Sequence, residues 1–198
     1  MSKNASSRAD IVAEWASVGP PDAPQVGPVT VDPSTTALLV LDIQRGNCSV
    51  ERRPRCVESL PAVAALLRRA REAGMAVVYS LTRSADAEDI REEVRPLPDE
   101  LVVKAGVDKF FGTELAGILS ARSVETVIVV GTAAHGAVLH TATGAAARGL
   151  DVIVPVDGLS ATEPYAEQYA VWHLANAPGT RRNTTLTRTG LIEIAGEG

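Results

Sequence analysis

Continuous apolar runs recur along this 198-residue chain: TALLVLDI from Thr36, MAVVYSL from Met75, the shorter LVVK from Leu101, TVIVVG from Thr126 and LDVIVPVDG from Leu150. A strand with one wet face alternates apolar and polar residues. An unbroken run instead marks a strand buried on both faces, the habit of parallel sheets. The segments between the runs carry helical spacing. Pro61 opens PAVAALLRRAREAG and Gly74 stands where a helix would end. Thr113 can cap TELAGILSAR, a helix is expected from about Gly136, and EPYAEQYAVWHLANA follows before the closing TTLTRTGLIEI. Strands alternating with helices imply an α/β fold, a doubly wound parallel sheet with helices on both faces in three layers.

The length suits one domain. Residues 1–34, rich in Ser, Pro, Gly and Asp, read as an N-terminal arm whose segment ADIVAEWASV could form a short amphipathic helix against the body or a partner subunit; residues 35–198 read as the folded domain. A net charge of −5 with scattered Lys and Arg offers no footprint for nucleic acid. No run approaches the roughly 18–20 uncharged residues of a membrane helix, and MSKNASSRAD has no signal core, so a cytoplasmic protein is expected. Cys48 and Cys56 show no zinc-ligand spacing with His135, His140 or His173, so reduced thiols, no metal and no cofactor are expected. The basic stretch ERRPRC at 51–56 reads as a solvated loop that could border a ligand pocket.

In sheets of this kind ligands sit outside the carboxyl ends of the strands. Asp42 ends the first long run, Lys104 ends LVVK, and the loop 131–136 ends TVIVVG. An acid closing an apolar run needs a partner, and Lys104 is the candidate. TAAHGA reaches a helix start through residues with almost no side-chain volume, so N–H groups near Gly136 and Ala137 could meet an oxyanion or a carboxylate; tight helix–sheet packing would use the same small residues. His135 either hydrogen-bonds a substrate or orients the turn. No dinucleotide or P-loop glycine pattern is present.

Taken together, TALLVLDIQRG, VVKAGVDKFFGTEL, VIVVGTAAHGAVLHTA and RGLDVIVPVDGLSA resemble the isochorismatase-like hydrolase superfamily over roughly residues 36–176. The resemblance implies a six-stranded parallel sheet, a homodimer or homotetramer, and a small polar organic substrate. In the cysteine-dependent majority an Asp, a Lys and a Cys are catalytic; these fall on Asp42, Lys104 and Ala137. A methyl group forms no thioester. The Ala-His pair, QRG after Asp42 and Phe110–Phe111 resemble the isochorismatase branch, where an aspartate protonates a vinyl ether, water adds and pyruvate leaves. That branch carries a glutamine after the second strand, where this chain has Thr82 and Arg83. A neighbouring lysine cation favours the carboxylate, the base rather than the acid. The resemblance also implies a cis peptide at Thr132–Ala133 and apolar walls from Phe110 and Phe111, and substrate contacts are expected from Gln44, Arg45, Phe110, Thr132, Ala133, His135 and Gly136. Two alternatives remain: a cysteine-type amidohydrolase with its nucleophile replaced by Ala137, and a non-catalytic binding protein.

Overall fold

The computed structural model describes residues 10–196. Residues 1–9, the start of the expected arm and the segment read as lacking a signal core, lie outside the described residues. The chain runs β1 (Val29–Val31), β2 (Thr36–Leu41), α1 (Pro54–Glu72), β3 (Ala76–Thr82), β4 (Leu101–Ala105), α2 (Leu115–Ser120), β5 (Thr126–Thr132), α3 (Leu139–Ala146), β6 (Asp151–Pro155), β7 (Leu159–Ser160), α4 (Pro164–Asn176), β8 (Thr184–Thr187) and β9 (Ile192–Ile194). The main sheet has the order β4-β3-β2-β5-β6-β8, with β7 paired to β5, and every pairing is parallel. The six expected strands are there, and β7 is a seventh that two residues could not announce.

Burial on both faces explains the unbroken runs. Every residue of β2 is buried. Leu39, Leu41, Val127 and Val129 face one core with Leu115, Leu139, Ala142 and Leu174, from α2, α3 and α4. Leu38, Val40, Ile128 and Val130 face the other, with Leu60, Val63, Leu66 and Leu67 of α1 and with Val31, Ile192 and Ile194. The last three belong to a separate parallel pair, β1 with β9. The expected final strand is therefore two strands, and residues 29–31 of the expected arm are built into the body.

Helix α1 starts at Pro54, seven residues before Pro61, which lies inside it. Pro54 at the first helical turn lacks only an N–H that would have no partner there. The described part of the segment ADIVAEWASV, residues 10–18, forms turns and a short 3₁₀ segment, Trp15–Ser17, in place of a helix. Trp15 stays exposed, its ring edge-on to Tyr165.

The switch in winding direction falls between β2 and β5, which run in register from Thr36↔Thr126 to Leu41↔Gly131. Gly131 has a φ of +130°, and an added Cβ would lie 2.1 Å from the Leu41 carbonyl oxygen. This contact requires glycine, and it sets the two strand ends side by side.

Candidate active site

Asp42 follows β2 directly, at a φ of +53°. Aspartate is one of the few side chains that enter this left-handed region at modest cost. The residue is 5% exposed and both carboxylate oxygens accept hydrogen bonds: Oδ2 from Lys109 Nζ at 2.8 Å, Oδ1 from the Ser80 hydroxyl at 2.8 Å. Lys109 is fully buried and also donates to the Gly106 carbonyl at 2.7 Å. A buried ion pair holds only when its remaining donors and acceptors are satisfied, and this one meets that condition on three sides.

The lysine is therefore Lys109, and the expected pairing of Asp42 with Lys104 is corrected. Along β4, Val103 and Ala105 point inward while Lys104 points to solvent, where it pairs with Asp86. Lys109 returns to the site because its loop is tied down: its N–H donates to Thr141 Oγ1 at 3.2 Å, its carbonyl accepts the Thr113 hydroxyl, and Asp108 Oδ1 accepts the Phe110 N–H at 2.9 Å. An exposed ion pair contributes little, so Lys104→Ala is expected to leave activity unchanged and to lower unfolding free energy by less than about 1 kcal/mol in chemical denaturation.

Ser80 was not anticipated. The available signal is a hydroxyl inside the apolar run MAVVYSL, near the same edge as Asp42, since a buried hydroxyl needs a partner. Gln44 is buried and its amide bridges Thr82, donating to Oγ1 at 2.8 Å and accepting the N–H at 3.2 Å. It braces the end of β3, where the resemblance expected a glutamine from another segment. Arg45 is exposed and lines a polar recess of about 400 Å³ with Arg91, Glu92 and Glu93.

On the β5 side, the Thr132–Ala133 peptide is cis, as the resemblance implied. Thr132 Oγ1 donates to the Ser160 carbonyl at 3.0 Å. The expected helix start is a π-helical turn, Ala134–Val138, leading into α3. Ala137 is buried there, His135 is exposed, and the Gly136 N–H is engaged by the Ala133 carbonyl at 2.9 Å. The expectation of a free Gly136 donor is corrected. Phe110 and Phe111 do not form a pair of pocket walls: Phe110 is packed against Gly144 and beneath the Arg148 guanidinium, 4.5 Å from the ring centroid, and Phe111 is 74% exposed.

Cys48 and Cys56 form a disulfide, against the expectation of reduced thiols. The earlier start of α1 puts Cys56 in its first turn, with Cα atoms 5.3 Å apart. The bond clamps the loop after Asp42 to the helix. On the far side Arg55 Nε donates to Glu167 Oε1 at 2.8 Å, and the same oxygen accepts the Ala161 N–H at 2.9 Å. The first turn of α1 is thus held across the carboxyl edge of the sheet, from the β2 loop to the segment after β7. Closing a loop of this length restricts the unfolded chain by roughly 2–3 kcal/mol. Cys48→Ser/Cys56→Ser is expected to lose about that much in urea unfolding, and the unreduced, denatured wild type should show no titratable thiol. Disulfides persist mainly in oxidising compartments, so this pairing and the cytoplasmic expectation pull in opposite directions.

Among the described residues no three His, Cys, Asp or Glu side chains gather as a metal site, and no helix is long and apolar enough to cross a membrane.

Known proteins share this fold. The isochorismatase domain matches residues 36–187. An N-carbamoylsarcosine amidase from Arthrobacter sp is 30% identical over 96 residues, which is 48% of this chain and 36% of that protein, so the match spans well under half of the relative. An N-carbamoylsarcosine amidase structure from Thermoplasma acidophilum aligns with a TM-score of 0.68 and 24% identity over 82% of this chain and 99% of that one. A cysteine hydrolase from Pseudomonas syringae pv. phaseolicola 1448A aligns with a TM-score of 0.71 and 21% identity over 85% and 95%. At these identities the structural likeness speaks for the fold, while the domain match covers most of the chain. The chain belongs to the isochorismatase domain family.

Proposed function

We propose that this protein is a hydrolase that acts on a small polar organic molecule by direct attack of water, with Asp42 as the proton-transfer group and no covalent enzyme intermediate. The observation that carries the reading is the buried Asp42–Lys109 pair, at the strand end beside β5 and its π turn, where Ala137 occupies the position that the resemblance assigns to the nucleophile. Asp42 accepts a proton from water as the water oxygen bonds to an electrophilic substrate carbon. The same proton then passes to the leaving heteroatom as its bond to that carbon breaks. Lys109 holds the carboxylate in place and balances negative charge that develops beside it. Ser80 fixes the other carboxylate oxygen.

The test is a panel of small amides, esters and ureido acids given to wild type and Asp42→Asn. Asparagine accepts the left-handed backbone as readily as aspartate, so the fold should survive. Hydrolysis by wild type is expected, with a loss of about 100-fold or more in kcat for the variant; equal rates would reject the assignment of Asp42.

A second reading, supported by the likeness to N-carbamoylsarcosine amidases, is C–N bond hydrolysis through a cysteine that Ala137 replaces. It predicts that ammonia release from small amides appears only in Ala137→Cys.

A further inference from the structure

The stretch ERRPRC, expected to be a solvated loop, instead supplies the first turn of α1, and Arg53 is the residue that opens it. Arg53 is partly buried, and its Nε is out of reach of solvent with no hydrogen-bond partner. No carboxylate forms an ion pair with it among the described residues. Every other arginine of this turn has a partner: Arg52 donates to the Gly46 carbonyl at 2.8 Å, and Arg55 holds Glu167.

A guanidinium N–H removed from water without a partner is costly, and the Nε–H of Arg53 is in that position. Burial and the neighbouring Arg52 cation both pull Arg53 below the ordinary arginine range, and the charge of Asp42 opposes them. Arg53 caps the same turn whose Cys56 is bonded to Cys48, so it is tied beside the loop that follows Asp42. Yet Asp42 is already paired with Lys109 at 2.8 Å, so among the described residues Arg53 is left without a carboxylate of its own. The placement is built in, because the disulfide and the Arg55–Glu167 bridge hold this turn over the strand ends from both sides. The Ser160 hydroxyl, aligned with Thr132 across β5 and β7, is the other buried polar atom near this edge left without a partner.

We infer that Arg53 receives a carboxylate of the substrate, so that the hydrolase acts on small organic acids whose anionic end docks on α1 while the scissile bond faces Asp42. The inference rests on the proposed reading of that site and adds its substrate class. A planar guanidinium fork matches a carboxylate through two parallel N–H···O bonds, and an anion there supplies the partner that the fold leaves out.

The experiment measures binding, so it does not depend on turnover. Calorimetric titration of the full-length protein uses pairs of small acids and their uncharged amides: N-carbamoylglycine, lactate and pyruvate against N-carbamoylglycinamide, lactamide and pyruvamide. Wild type and Asp42→Asn are expected to bind at least one acid about ten-fold or more tighter than its amide. Arg53→Gln should erase that preference, and Arg53→Lys should retain part of it, each variant unfolding within a few degrees of wild type. Wild type showing no preference for any acid would overturn the inference, as would a preference intact in Arg53→Gln or equal losses in the Gln and Lys variants. The two claims fail separately: an active Asp42→Asn removes the reading of Asp42, whereas an unchanged preference in Arg53→Gln removes only the docking role of Arg53.

Discussion

Lys109→Met is expected to abolish turnover and to lower unfolding free energy by about 3–5 kcal/mol. The side chain is fully buried, and its ammonium is the cation that faces the Asp42 carboxylate. Methionine keeps the volume but leaves a buried charge with only the Ser80 hydroxyl for company. The stability loss is thus a desolvation cost of the orphaned partner, more than the worth of the pair itself. The double variant Asp42→Asn/Lys109→Met separates the two, because it removes both charges. It should regain much of the lost stability in urea titrations while remaining inactive, and the coupling between the sites should exceed about 1 kcal/mol. Additive single effects would show that the two groups do not interact.

Gly131→Ala is expected to be the most damaging single methyl added to the chain, preventing accumulation of folded protein or lowering its stability by more than about 4 kcal/mol. The new Cβ would sit 2.1 Å from the Leu41 carbonyl oxygen, and the φ of +130° is one that L side chains rarely adopt. Neither strand can yield, since β2 and β5 pair along their whole length at the centre of the sheet. Gly136→Ala is the control: its nearest neighbour would be the Ala133 Cβ at 3.7 Å, ordinary contact. Soluble yield and thermal unfolding of the two variants should differ sharply; similar behaviour would mean that the strand ends are less closely apposed than they stand here.

The central strands are legible in the sequence because their burial on both faces writes an unbroken apolar run, and Asp42 is legible because an acid closes such a run. The lysine is harder. VVKAGVDKFF offers two candidates, and choosing the one that ends the strand ignores the alternation of buried Val103 and Ala105 around exposed Lys104. Lys109 reaches Asp42 through bonds to Thr141, Gly106 and Thr113 that no local pattern reveals. The start of α1 is hidden by composition: Pro61 looks like a first turn, and ERRPRC has too few apolar residues to display its helical period. That error also concealed the Cys48–Cys56 bond and the position of Arg53, since all three depend on the same turn lying across the sheet. The β1–β9 pair is a tertiary event between chain ends, beyond any window of sequence.

The most direct measurement is intact-protein mass spectrometry of wild type quenched in denaturant during steady turnover of whichever panel substrate it hydrolyses. Attack by water predicts only the unmodified mass throughout turnover, in parallel with activity that survives iodoacetamide and disappears in Asp42→Asn. An adduct of acyl or carbamoyl mass that forms and decays at the turnover rate would show that a side chain of the protein, and not water, makes the first bond.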